Sequence, residues 1–152
     1  MPKVDVSTST IIDCPLHRVA SYAADPDNDP NWYVNIKSVE WKTSRPPVLG
    51  SQIAFVAQFL GRRLAYTYEI VELVPDARLV MRTSEGPFPM ETSYQWEPLS
   101  ESSTRMTLRN RGEPTGFSWL MSPFMSFMMR RANNSDLKLL KDVLENSSGP
   151  AV

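Results

Sequence analysis

Apolar and polar residues alternate through most of the chain between residues 34 and 111, and this period of two predicts β-strands. An earlier strand is predicted at Val4–Ile12, which is rich in β-branched residues. Short connections containing Pro, Gly and Asp separate the later strands, so neighbours along the chain should pair antiparallel. We place these later strands near 34–42, 51–60, 63–74, 77–84, 88–97 and 103–111.

The alternation gives the predicted sheet one apolar face and one polar face. A two-residue loop between the strands near 51–60 and 63–74 would place Phe55 opposite Tyr68. A five-residue loop between the last two strands would place Trp96 near Thr104 and Glu91 opposite Arg109. These registers keep the apolar side chains on one continuous face, as a sheet with one buried side requires.

Two segments have the periodicity of helices. The first follows the opening strand, with Asp13 as a capping residue and Pro15 at the start, and it extends to about Ala24. The second is predicted from about Pro123 to Glu145. At ~1.5 Å per residue this second helix is roughly 34 Å long, enough to cross the whole sheet.

Four segments of the chain resemble landmarks of one known superfamily. A strand ends at a proline and a helix begins within Ile12–Val19, and a tryptophan follows a polar turn at Asn31–Tyr33. Tyr68–Val80 is similar to a proline-tipped central hairpin, and Leu137–Glu145 is similar to a closing helix. On these segments the chain resembles the SRPBCC superfamily, most closely its polyketide cyclase/dehydrase-like (START/helix-grip) branch.

The resemblance implies an α+β helix-grip fold for a single domain spanning residues 1–152. In this fold a curved antiparallel sheet of about seven strands wraps around a long C-terminal helix, and two short helices follow the first strand. It also implies an apolar cavity between the concave face of the sheet and the last helix. The superfamily includes lipid carriers, hormone receptors, cyclases and chaperone activators, so the fold alone does not identify the function.

The predicted concave face is rich in aromatic and methionine side chains, which suit a pocket of several hundred Å³ for a small apolar or amphipathic molecule. The same side chains would also suit a solid core. The predicted ligand-binding residues are Phe55, Tyr66, Tyr68, Met81, Met90, Tyr94, Trp96 and Met106 on the strands, with Met125, Met128, Met129 and Asn133 on the long helix.

Composition excludes several classes of partner. The net charge of −1 favours neither nucleic acid nor an anionic membrane. No apolar run is long enough to span a membrane, and Met1–Asp5 does not resemble a signal peptide, so we expect a cytoplasmic protein without stable membrane insertion. One cysteine and one histidine exclude an internal disulfide and a zinc site built from several such ligands. We expect no cofactor.

Two short motifs could carry chemistry. Cys14 and His17 are three residues apart and could form a nucleophile and its base, but no third group is identifiable to orient the histidine. The acidic turn at 25–29 imitates the start of a calcium loop. Pro30 and Ile36 occupy the places where that loop needs glycine and glutamate, so we expect an ordinary turn and no metal site.

The predicted registers leave no acid or base inside the sheet, although the orientations of Glu40 and Glu72 near strand ends stay open. We therefore predict no catalytic residue and interpret the chain as a binding protein for a small apolar ligand. One alternative is an enzyme of the polyketide cyclase/dehydratase type. Another is an interaction module, such as a homodimer, that uses the Phe/Met-rich segment 117–129.

Overall fold

The computed structural model describes residues 4–59, 61–113 and 122–147, which form a curled antiparallel sheet packed against a long helix. The sheet in these ranges has seven strands, which are β1 Val4–Ile12, β2 Ile36–Trp41, β3 Gln52–Phe59, β4 Arg62–Val74, β5 Arg78–Glu85, β6 Met90–Ser100 and β7 Ser103–Gly112. Their spatial order is β1-β7-β6-β5-β4-β3-β2, so the first strand lies at one edge beside the last.

Three α-helices complete the described part of the chain. Two short ones, α1 at Leu16–Ala23 and α2 at Asp29–Trp32, follow β1, with a 3₁₀ turn at Pro26–Asn28 between them. The long helix α3 spans Ser122–Ser147. The α+β helix-grip fold that the resemblance implied is therefore confirmed.

The start of α1 differs from the prediction. Its N-cap residue is Pro15, which has no side-chain capping bond, so Asp13 is not the cap. The backbone N–H of Asp13 instead donates to Glu145 Oε2 at 2.8 Å. This bond ties the segment before α1 to the last turns of α3.

The hairpin of β3 and β4 confirms the predicted faces but not the predicted register. Phe55 lies opposite Tyr66 rather than Tyr68, because Phe59 pairs with Arg62 and the turn falls one residue earlier than predicted. Gly61 has a φ of 75° in this turn, a conformation that glycine adopts without strain. A change of two residues in partner leaves every side chain on its original face.

The hairpin of β6 and β7 shows the same kind of correction. Trp96 lies opposite Met106 rather than Thr104, because Ser100 pairs with Ser103 and the loop is shorter than the five residues predicted. Glu91 consequently lies opposite Arg111 and not Arg109. On the polar face the Glu91 carboxylate forms ion pairs with Arg111 and with Arg82.

The main core lies between the sheet, the short helices and the second half of α3. Trp32, Leu108 and Leu140 are among its fully buried side chains. A smaller apolar group formed by Val4, Val6 and Met125, with Phe59 and Met129 against it, lies under the first half of α3. The candidate site lies along this first half of the helix.

Candidate functional site

A cavity of about 140 Å³ lies between the concave face of the sheet and α3. All seven strands contribute to its wall, and α2 and α3 close it. Its volume is smaller than the several hundred Å³ predicted from the sequence. An apolar cavity of similar size holds one benzene ring, so this cavity has space for a one-ring molecule without rearrangement.

The structure brings nine of the twelve predicted site residues to the cavity wall. Trp96 and Met106 are instead buried in the main core. Trp96 lies beyond Tyr94, the last β6 residue at the cavity, and Met106 is the partner of Trp96 on β7. Met128 is half-buried and does not line the cavity. The nine are Phe55, Tyr66, Tyr68, Met81, Met90, Tyr94, Met125, Met129 and Asn133.

Three aromatic rings on β3 and β4 form one side of the cavity. Phe55 and Tyr66 are stacked, with ring centroids 5.6 Å apart and planes inclined by 28°. Tyr68 meets both rings edge-on, at 6.0 Å from Phe55 and 5.0 Å from Tyr66. Rings at these separations attract each other beyond simple burial, so this wall is a preformed apolar surface.

A chain of hydrogen bonds crosses the cavity wall from β4 to α3. Thr92 Oγ1 donates to Asn110 Oδ1 at 2.6 Å, and Asn110 Nδ2 donates to Asn133 Oδ1 at 3.0 Å. Thr92 has one hydroxyl hydrogen, so Tyr68 OH must donate to Thr92 Oγ1 across 2.8 Å. Every donor therefore points towards Asn133, whose Nδ2 has no partner among the described residues.

Two buried carboxyl groups, Asp29 on α2 and Asp136 on α3, also line the cavity, and each residue is 3% exposed. Asp136 Oδ1 accepts a hydrogen bond of 2.9 Å from the backbone N–H of Val34. Asp29 Oδ1 has no partner within the described part of the chain. The expectation that no acid lies inside is therefore wrong, because it considered strand residues and both carboxyls lie on helices.

Burial changes the protonation of these groups. Removal from water raises the pKa of Asp136 to about 7, although the Val34 N–H opposes the change. Burial also raises the pKa of Asp29 well above its usual value, and the carboxylates of Asp25, Asp27 and Asp136 raise it further. Asp136 can therefore exchange a proton near neutral pH.

The tyrosine hydroxyls of the cavity are poor proton donors near neutral pH. Burial raises the pKa of Tyr68 to about 12. The hydroxyls of Tyr33 and Tyr94 share a hydrogen bond of 2.5 Å, and burial raises the pKa of both. These groups can hold and orient a polar atom, and they do not serve as bases.

The Cys14–His17 pair is not assembled. Cys14 is fully buried in the main core, and this burial raises the pKa of its thiol. His17 is on the surface, where its Nδ1 lies 3.1 Å from a carboxylate oxygen of Asp76. Glu40 and Glu72 pair with surface cations and do not line the cavity.

The acidic turn has other partners for its carboxylates. Asp25 accepts a bond from the backbone N–H of Asp27, and Asp27 pairs with Arg45 and with the indole of Trp41. Among the residues that the structure describes, no group of three or more His, Cys, Asp or Glu side chains is placed to hold a metal ion.

The Phe/Met-rich segment is described only from residue 122 onward, so residues 117–121 lie outside the described residues. Phe124 and Phe127 at the start of α3 are largely exposed. Their exposure is compatible with a contact surface, and the interaction module stays a prediction. No helix in the described ranges combines the length and the apolar character that a membrane span needs.

A curled antiparallel sheet, a long C-terminal helix and a cavity between them define the helix-grip class. Residues 3–145 match the family described as polyketide cyclase / dehydrase and lipid transport. The chain belongs to this family, within the SRPBCC superfamily. No protein with a curated description is detectably similar to it in sequence.

Solved structures support the same fold at low sequence identity. A protein of Thermus thermophilus is 22% identical with a TM-score of 0.82, over 95% of this chain and 99% of that one. A START superfamily protein from Mycobacterium smegmatis is 16% identical with a TM-score of 0.80, over 93% and 97% of the two chains. The Zhui aromatase/cyclase from Streptomyces sp. R1128 is 15% identical with a TM-score of 0.78, over 97% of each chain.

Proposed function

We propose that this protein binds a small, mostly apolar molecule of about one ring in the cavity between the sheet and α3. The observation that carries the proposal is the cavity itself, about 140 Å³ in volume and walled by aromatic rings and methionines with a few polar groups at defined positions. Such a wall is typical of small-molecule sites. The family description, which includes lipid transport and cyclase activity, supports the proposal.

The size of the cavity limits the affinity. An aromatic ring buries about 150–250 Å² of surface, which at ~25 cal/mol per Å² stabilises the complex by about 4–6 kcal/mol. Part of this free energy offsets the lost freedom of the ligand. Before this cost the gain corresponds to a Kd between about 1 mM and tens of micromolar, so after it a purely apolar ring should bind with a Kd on the order of millimolar, and the assay must reach this concentration.

Ethylbenzene binding followed by calorimetry and by thermal unfolding tests the proposal. Ala57 lines the cavity on β3, so Ala57→Leu should fill the space and abolish binding. Ala65 on β4 is exposed, so the matched Ala65→Leu change should leave binding intact. Absence of binding to the wild type, or equal binding to both variants, would refute the proposal.

A second candidate is catalysis of the polyketide cyclase/dehydratase type, and Asp136 is the observation that favours it. A carboxyl with a pKa of about 7 at a cavity wall suits proton transfer to or from carbon beside a carbonyl. In D₂O such an enzyme should exchange the methyl hydrogens of acetophenone for deuterium, and Asp136→Asn should lose this exchange. If the protein only binds the ketone, the exchange should proceed at the uncatalysed rate.

A further inference from the structure

The side chain of Asn133 has one satisfied atom and one unsatisfied atom. Its Oδ1 accepts from Asn110 Nδ2, whereas its Nδ2 has no partner among the described residues, although the residue is 3% exposed and lines the cavity. A buried amide donor without an acceptor is costly, so native structures rarely retain one without a reason.

Rotation of the Asn133 amide by itself would not satisfy this donor. Asn110 Oδ1 accepts from the hydroxyl of Thr92, and Asn110 presents its Nδ2 to Asn133. A flipped Asn133 would place two NH₂ groups against each other. In this arrangement the cavity presents an N–H donor, and its complement is an oxygen acceptor on the bound molecule.

Asp29 supplies a second unsatisfied group in the same cavity. Its Oδ1 has no partner among the described residues, and burial favours the protonated form of the carboxyl by raising its pKa. A protonated carboxyl both donates and accepts one hydrogen bond. A hydroxyl group, which also does both, is its complement.

The charges at the cavity disfavour an ionic ligand. Arg111 is the one cationic side chain among the described residues of the wall, and its guanidinium is paired with Glu91. An anionic ligand would therefore enter a space that holds two buried acids and no unpaired cation among the described residues. A cationic ligand would need an ionised acid as its partner, whereas burial favours the protonated form of both acids by raising their pKa. A neutral ligand avoids both costs.

We propose, on the basis of the proposed function, that the ligand is an uncharged one-ring hydroxy ketone whose carbonyl oxygen accepts from Asn133 Nδ2 and whose hydroxyl meets Asp29 Oδ1. The ring would lie against the aromatic wall formed by Phe55, Tyr66 and Tyr68.

Four probes of similar size test the two polar groups separately and together. Ethylbenzene carries neither group and para-hydroxyacetophenone carries both. Acetophenone carries only the carbonyl, and para-ethylphenol carries only the hydroxyl. Each polar group should lower Kd by about fivefold to tenfold, as one net hydrogen bond does. The ionised para-hydroxybenzoate and benzylamine should each bind more weakly than para-hydroxyacetophenone.

Variants assign each preference to its residue. Asn133→Leu removes the NH₂ group, so it should lose the carbonyl preference, and retained binding of ethylbenzene shows that the cavity is still formed. Asp29→Leu should likewise lose the hydroxyl preference while ethylbenzene still binds. The exposed neighbour Asn134 gives the control variant Asn134→Leu, which should keep both preferences.

The outcomes separate this inference from the proposed function. Failure of all four probes to bind would refute both. Equal binding of the four would overturn the hydroxy ketone while leaving an apolar ligand in place. Tighter binding of benzylamine or of para-hydroxybenzoate would overturn the neutral ligand. Unchanged preferences in Asn133→Leu or Asp29→Leu would overturn the assignment of the two groups.

Discussion

Replacement of Asp136 by asparagine should make the protein more stable at neutral and alkaline pH. The folded chain raises the pKa of this carboxyl from 3.8 to about 7, and the group is almost fully buried. Each tenfold change in proton affinity corresponds to about 1.4 kcal/mol, so ionising Asp136 in the folded state costs on the order of 4 kcal/mol. Asparagine keeps the oxygen that accepts from Val34 and carries no charge.

The sign follows from where each state releases its proton. The unfolded chain releases it near pH 4, whereas the folded chain keeps it up to about pH 7. Between these values the folded state binds more protons, so wild-type stability falls as pH rises through this window and the loss is complete above it. Below about pH 4 both states are protonated and the penalty is absent.

Urea unfolding at pH 4, 5.5, 7 and 8.5 measures this effect, because these four assay conditions together cover roughly the window between the unfolded-state and folded-state pKa values. From the lowest to the highest of these pH values, the unfolding free energy of Asp136→Asn should rise by several kcal/mol relative to that of the wild type. Asp142→Asn, an exposed site on the same helix, is the control and should run parallel to the wild type. The other titratable or charged groups at the cavity are present in all three proteins: Asp29, Tyr33, Tyr66, Tyr68, Tyr94 and Arg111. If the unfolding free energies of the wild type and Asp136→Asn changed in parallel with pH, Asp136 would not be a buried carboxyl that is protonated in the folded state.

Three further predictions concern the rest of the chain. Trp96→Ala should lower the unfolding free energy by roughly 3–5 kcal/mol because the ring is buried. Glu97→Ala should lower it by at most about 1 kcal/mol because its ion pair is exposed. The reverse order in urea unfolding would show that the two faces of the sheet are misassigned. Cys14 should react with a thiol reagent only in urea, and rapid labelling of the native protein would contradict its burial. Millimolar calcium should leave the melting temperature unchanged, because Asp27 is paired with Arg45; a clear rise would reveal a site.

The sequence predicted the sheet well because alternation determines which face a side chain joins. The turns were harder to locate: the β3–β4 turn lies one residue earlier than predicted, and the β6–β7 loop is shorter. Partners therefore changed by two positions, as with Phe55 and Tyr66, while the faces did not change. This is why most of the predicted cavity residues line the cavity although the partners predicted in these two hairpins were wrong.

The buried carboxyls were missed for two different reasons. Asp136 was recoverable, because Met125, Met129, Ala132 and Asp136 are spaced by four, three and four residues and share one helical face. Asp29 was not, because nothing local distinguishes it from Asp27 in the same turn, and only the packing of α2 against α3 directs it inward. The helical spacing of residues therefore points to Asp136 and does not point to Asp29.

The methionine methyl groups give the most direct test of a ligand between the sheet and α3. Carbon-13-labelled methionine methyls can be followed by NMR while ethylbenzene is added. Met81, Met90, Met125 and Met129 line the cavity, so their signals should shift together and saturate with one Kd. Met106 is buried in the main core and does not line the cavity, so its signal should stay in place. Shifts confined to Met106, or no saturable shift at the four lining methionines, would contradict a ligand site in this cavity.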